Sequence, residues 1–219
     1  MGQKTNPNGL RFGKFKKHFS CWYTENKNYS HFVKQDIFIR KFLMEKIKNV
    51  FISLIEIEKD NKETVIFIHY LNFSKFNKVE TNSEKNEINL FKLKNLLLKS
   101  LNSFFNVKIN FNEFIIKLIE IENPILDVRF IANDIRYKLE KRMNFRKIVN
   151  STIANIINKG IKGIKIKLSG RLNDAEMARE ESFREGKVPL NTLKANIDYF
   201  HCTAKTLSGS LGIKVWLNK

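Results

Sequence analysis

FRKIVNSTIANIINKGIKGIKIKLSGRL, residues 145–172, changes its hydrophobic period halfway along. In the first part Phe145, Ile148, Val149, Thr152, Ile153 and Ile156 recur at steps of three and four, which gives a helix with one apolar side. Arg146, Lys147, Asn150, Ala154 and Asn158 fall on its other side. Gly160 suits the end of that helix, where a left-handed residue closes the last turn. From Gly163 the pattern becomes strict alternation, with Ile164, Ile166 and Leu168 to one face and Lys165 and Lys167 to the other. A one-sided helix followed by a one-sided strand predicts a helix layer packed on a sheet.

Working outward, Pro124 suits the first turn of an earlier helix, where its missing N–H costs nothing. Ile125, Val128, Ala132, Ile135 and Leu139 give that helix an apolar face, and Arg129, Arg136, Lys138, Lys141 and Arg142 surround the rest. Downstream, roughly 192–199 and 211–217 read as two more strands, with Gly209 and Gly212 as turn residues. Residues 124–219 are therefore expected to form an α/β domain of two helices packed on a roughly four-stranded sheet.

The preceding region reads helix, strand, strand, loop, helix, strand. Residues 34–49 form the first helix, with Ile37, Phe38, Phe42, Leu43 and Ile47 on its apolar side and Lys41, Lys46 and Lys48 outside. Residues 51–58 and 64–71 read as strands of a hairpin with Asp60 and Asn61 in the connection. The stretch 72–88 is polar and has no period; 89–104 reads as a helix and 106–121 as one or two strands. Residues 1–33 read as an extended basic arm that opens with the turn signal NPNG at 6–9. There Arg11, Lys14, Lys16 and Lys17 alternate with Phe12, Phe15 and Phe19. That pattern suits phosphate contact with stacking, or a solvated tail with its rings against the body. The expected organisation is α+β overall: an arm over 1–33, one domain over 34–123 and another over 124–219.

Of the 219 residues, 40 are Lys or Arg and 22 Asp or Glu, a net charge of +18. Such an excess calls for a polyanion, with nucleic acid ahead of an anionic membrane surface. Residues 1–50 hold 11 basic and 3 acidic residues, 51–123 hold 10 of each, and 124–219 hold 19 and 9. The two ends are thus expected to carry the electrostatics and the middle to act as scaffold. No stretch approaches the ~18 consecutive apolar residues of a membrane span, and neither end carries an amphipathic basic helix with a wide Trp/Leu face, so no membrane partner is expected. Cys21 and Cys202 are far apart in the chain and read as reduced thiols. The opening residues show neither an apolar leader nor a myristoylation pattern, Asn6 standing where Ser or Thr is needed, so the protein is expected to act where it is made. An abundance of Asn, Lys, Ile and Phe, whose codons are A/T-rich, points to a plastid genome or an A/T-rich bacterium.

An enzyme reading finds little to stand on. There is no Walker loop and no dinucleotide fingerprint. His18, His31, His69 and His201 are scattered, and the pairs His18 with Cys21 and His201 with Cys202 would each need two further ligands to hold a metal. No catalytic centre, cofactor or metal site is expected.

From Pro124 onward the sequence resembles the third small-subunit ribosomal protein family of bacteria and plastids. The resemblance is carried by FRK at 145–147, KGIKIKLSGRL at 162–172, AEMARE at 175–180, REGKVPLNTLKANIDY at 184–199 and GIKVWL at 212–217. The opening MGQKTNPNGLRFG, with Trp22 following, resembles the start of the same family. The resemblance implies a type II KH domain before the α/β domain. It also implies a place on ribosomal RNA in the head of the small subunit, beside proteins of the tenth and fourteenth families. Ribosomal RNA would then be met by Lys4, Arg11, Lys14, Lys16, Lys165, Lys167, Arg171, Arg179 and Lys187. A basic helix face credited in the family with gripping incoming messenger RNA is matched by Arg146 and Lys147, while the third position, usually basic, is Asn150. On the residues alone, Arg146 and Lys147 project from the polar side of an amphipathic helix where phosphates could be reached, the alternative being a solvated helix end.

Two departures bear on function. Residues 72–88 contain no glycine, so the GxxG loop with which KH domains close on phosphates is missing or replaced, and a KH fold without the usual clamp is expected. Where relatives read GRLGGAE this chain reads GRLNDAE at 170–176, so the turn is expected to be rebuilt, with Asp174 repelling a close phosphate. The leading expectation is a structural protein of the small ribosomal subunit in a plastid, or in an A/T-rich bacterium. The alternative is a free RNA-binding factor of the same ancestry.

Overall fold

The computed structural model describes residues 4–47, 50–60, 63–71, 90–105 and 114–219. In chain order the elements are α1 (Pro7–Arg11), β1 (Ser20–Trp22), α2 (Asn26–Lys46), β2 (Phe51–Lys59), β3 (Thr64–Leu71), α3 (Leu90–Phe105) and β4 (Phe114–Glu120). There follow α4 (Val128–Glu140), α5 (Phe145–Ile157), β5 (Gly163–Gly170), β6 (Arg179–Gly186), β7 (Ile197–Thr206) and β8 (Gly209–Asn218). The chain divides into two compact units, His18–Glu122 and Asn123–Lys219, and the segment up to Lys17 belongs to the second.

In the unit spanning 18–122 the sheet order is β1-β2-β3-β4, with β1 and β4 parallel to their neighbours and β2 antiparallel to β3. Ile55, Ile57, Ile66 and Ile68 of the sheet share one core with Ile39 and Leu43 of α2 and Leu97 and Leu101 of α3. Both helices therefore cover the same face. The apolar side of α2 differs from the sequence reading: Ile39 is buried, whereas Ile37 is half exposed. The helix also begins eight residues earlier than its pattern suggests. Trp22 packs against Tyr29 and Phe32 of its first two turns, at ring separations of 5.5 Å each, and this tertiary contact extends the helix where no side chain caps it. Lys48, Asn61 and the stretches 72–88 and 106–113 lie outside the described residues.

The other unit carries the sheet β6-β5-β8-β7, antiparallel throughout. Ile164, Ile166 and Leu168 of β5, with Ile213 and Val215 of β8, form one core with Ile135 of α4 and Ile148 and Val149 of α5. Asp127 caps α4 by accepting from the Arg129 N–H at 2.8 Å, and Asn144 caps α5 by accepting from the Arg146 N–H at 3.0 Å. Pro124 opens a separate 3-10 turn, Pro124–Leu126, not α4 itself, because the Asp127 cap sets the helix start at Val128, four residues later.

Two further sequence expectations are corrected here, and one strand is added. The arm expected over 1–33 is not extended in its described part: residues 4–33 contain α1, β1 and the start of α2. The fourth strand of the sheet, which the sequence pattern leaves unplaced, is β6; Phe183 is its one large apolar residue, and it pairs along the whole of β5 as an edge strand that buries little. Gly212 lies inside β8, not in a turn. It faces Ser169, where a Cβ would come within 2.7 Å of the hydroxyl, so close strand packing is what the glycine allows.

Candidate nucleic-acid interface

Alternation along β5 sends Lys165 and Lys167 to the sheet face away from α4 and α5, and strand register decides what stands beside them. Arg184, Lys165, Trp216 and Tyr199 form one cross-strand row; Ser182, Lys167, Lys214 and His201 form the next. Lys4, Pro7 and Leu10 and the loop 188–192 line the space in front of these rows, a groove of about 950 Å³. Five cations, Lys4, Lys165, Lys167, Arg184 and Lys214, and one acid, Glu180, line it.

The charge state of the groove follows from that crowding. The Lys165 ammonium lies 5.4 Å from the centre of the Trp216 ring. Its pKa is held below the ordinary lysine value, first by burial and then by Lys4, Arg184 and Lys167. Glu180 accepts from Lys167 at 2.5 Å, and this hydrogen bond holds its carboxyl below the usual range. An anion brought into the groove would relieve the repulsion among these cations.

The N-terminal segment is anchored to this unit by residues the sequence reading assigned to RNA. Arg11 is 1% exposed and donates to four carbonyl oxygens: Pro7 at 3.0 Å, Leu190 at 3.0 Å, Thr192 at 3.0 Å and Ala195 at 3.1 Å. Lys16 donates to the Asp198 carboxylate and to the Ile197 carbonyl, and Asn8 donates to the Tyr199 carbonyl at 2.8 Å. Burial acts against the Asp198 charge, but hydrogen bonds from Lys16 and Lys219 hold its pKa below the ordinary value. Arg11 and Lys16 are thus turned inward: their donors meet chain acceptors, and neither points toward solvent. Lys4 and Lys14 are exposed.

The remaining candidates are dispersed. Arg146 and Lys147 lie exposed on the first turn of α5, with the Arg146 guanidinium 3.7 Å from the Glu181 carboxylate on β6. Arg179 reaches the same carboxylate at 3.4 Å. Arg171 donates to the Ala175 carbonyl at 2.8 Å and to that of Ser208 at 3.3 Å, tying two turns together. Lys187 is exposed at the end of β6, and its carbonyl accepts from Asn218 at 2.9 Å.

Asn173 and Asp174, which replace two glycines of the resembled family, have φ of 53° and 58°, so the turn keeps a left-handed backbone without glycine. With Arg142, at φ 59°, they line a second cavity of about 550 Å³. Sequence reasoning missed Arg184, Lys214, Tyr199 and Trp216. Alternation in β6 and β8 was the available signal, but only strand register places them beside Lys165. Among the described residues no group of His, Cys, Asp and Glu is placed to hold a metal ion, and no helix is long and apolar enough to cross a membrane.

A helix-backed sheet with cations ranked on its open face defines a basic α+β protein with the surface chemistry of polyanion binders. The family model for ribosomal protein S3, C-terminal domain, matches residues 135–217. The small ribosomal subunit protein uS3c of Euglena gracilis is 38% identical over 225 residues, spanning all of both chains. That named uS3 in Hydrogenovibrio crunogenus is 40% identical over all of this chain and 90% of its own. The uS3 of Acinetobacter baumannii is 38% identical over 99% of this chain and 81% of its own. The chain belongs to the small ribosomal subunit protein uS3 family.

Proposed function

We propose that this protein is a structural constituent of the small ribosomal subunit, not an enzyme, and works on a plastid ribosome. The observation that carries this reading is identity along the whole chain to proteins named for that subunit. The Euglena relative and the abundance of Asn, Lys, Ile and Phe, residues with A/T-rich codons, favour the plastid, and the bacterial relatives leave a bacterial ribosome as the alternative. Ribosomal RNA is the partner. Lys4, Lys14, Lys165, Lys167, Arg171, Arg179 and Lys187 are the cations offered to it, with the groove in front of β5 and β8 the densest part of that surface. In this reading Arg11 and Lys16 serve RNA indirectly, by holding the segment that walls the groove.

Residues 34–123 act as a type II KH-like module without its GxxG clamp. Support comes from the helix, strand, strand, helix, strand order and from two helices on one sheet face. Arg146 and Lys147 touch messenger RNA where it enters the subunit; their exposure at a helix start leaves phosphates within reach. Proteins of the tenth and fourteenth families are the neighbours in the head.

Two experiments test these statements. Tagged protein should migrate with the small subunit on a sucrose gradient and stay there through a high-salt wash; migration at the top, even at low salt, would instead identify a free RNA-binding factor. Changing Arg146 and Lys147 together to Ala should leave subunit assembly intact while slowing translation through structured messages. Unchanged speed on such messages would remove the role at the channel.

A further inference from the structure

Trp216 is 8% exposed, lines the groove, and has a buried indole N–H with no hydrogen-bond acceptor among the described residues. A buried donor left unpaired is destabilising, so its persistence beside a strongly cationic space calls for an explanation. Tyr199 stands next to it, ring centre to ring centre 5.3 Å, and Lys165 lies over the Trp216 ring. The site therefore combines an aromatic pair, an unspent N–H donor and a ring of cations. That set matches an unpaired nucleotide, which brings a π-face, oxygen acceptors and a phosphate.

Size argues the same way. A space of about 950 Å³ falls within the roughly 300–1,000 Å³ of sites that engulf one small molecule. A double helix could only lay its backbone across the rim. We propose that the groove receives a single unpaired nucleotide of RNA, with one of its oxygens accepting the Trp216 Nε1–H and its phosphate among Lys165, Arg184 and Lys214. The proposal rests on the RNA-binding reading and narrows it: this face selects single-stranded RNA, while cations elsewhere on the unit do not discriminate.

Trp22 and Trp216 are the two tryptophans, so a Trp22→Phe variant leaves Trp216 as the only indole reporter. The full-length variant is titrated with a uridine-only single strand and with a blunt RNA duplex of equal length. Emission is followed alongside binding measured by anisotropy of labelled RNA. The single strand should bind with a saturable change in Trp216 emission, and the duplex should bind without one. Trp216→Phe, which keeps a ring and loses the N–H, should weaken the single strand about tenfold and leave the duplex unchanged. If Trp22→Phe does not fold, the wild-type emission change that disappears in Trp216→Phe reports the same event. Binding of both RNAs without any Trp216 response overturns the groove assignment and leaves RNA binding standing. An equal response to the duplex overturns the single-strand selectivity. If neither RNA binds at low salt, the RNA-binding reading is overturned along with it.

Discussion

Arg11 sits in a buried position where its guanidinium meets four carbonyl oxygens and no carboxylate. Hydrogen bonds to a charged donor are worth about 1.5–3 kcal/mol each, and removing the donor leaves the acceptors buried and unmet. Arg11→Met is expected to cost ~3 kcal/mol or more in urea unfolding, whereas Lys14→Ala, an exposed change, should stay within ~0.5 kcal/mol. Lys59 makes a second residue-scale case. Its ammonium is 3.8 Å from the Phe32 ring centre, donates to Gln35 and is partly buried, and burial pulls its pKa from 10.5 to about 8 against the pull of Asp36. Between these two values the unfolded chain holds the extra proton, so stability rises with pH through that window, and below pH 8 the full cost of burying the charge is present. Wild type should therefore gain stability relative to Lys59→Met between pH 7 and pH 9.5 in paired urea titrations, with the Lys59 pKa near 8 setting the onset. A constant difference would mean that Lys59 keeps an ordinary pKa.

At the scale of elements, the turn at Leu172–Asp174 shows how a glycine turn persists without glycine. Asn and Asp tolerate the left-handed region better than other side chains because their short polar groups bond locally. Arg142, in the turn between α4 and α5, has no such compensation at φ 59°. Asn173→Gly should raise stability by about 0.5 kcal/mol and Arg142→Gly by about 1 kcal/mol, the added freedom of the unfolded chain offsetting part of each gain. Thermal melts would check the order of the two, and a loss at either position would mean that its side chain holds the turn. β6 makes the opposite point about elements: a mostly polar segment forms a strand because β5 offers it an unpaired ladder.

For the whole molecule, charge and architecture agree. The unit formed by 1–17 and 123–219 holds 24 basic and 9 acidic residues; that formed by 18–122 holds 16 and 13. Counterion release makes affinity fall with salt by about 0.7 log units per single-strand phosphate for each log unit of salt. Changing Lys165, Arg184 and Lys214 together to Ala should flatten that slope by about 0.7, the share of the one phosphate they hold. Changing Lys27, Lys34 and Lys41 together to Ala should leave it unchanged. Equal flattening by both sets would spread the RNA contact over both units.

The sequence by itself determined the α+β class, the two helices of 128–157, the alternation of β5, the excess of positive charge and the family resemblance. Each of these rests on local period, residue counts or near-fixed blocks, which a chain displays before it folds. Only the tertiary structure decided that Arg11 and Lys16 turn inward, because their acceptors lie some 180 residues away in sequence. It also decided that Arg184, Lys214, Tyr199 and Trp216 stand beside Lys165, because strand order and register are set by pairing between distant segments. The basic candidates were legible as residues. Which of them face solvent was not, since a cation's role depends on whether carbonyls or water meet it once the core has formed.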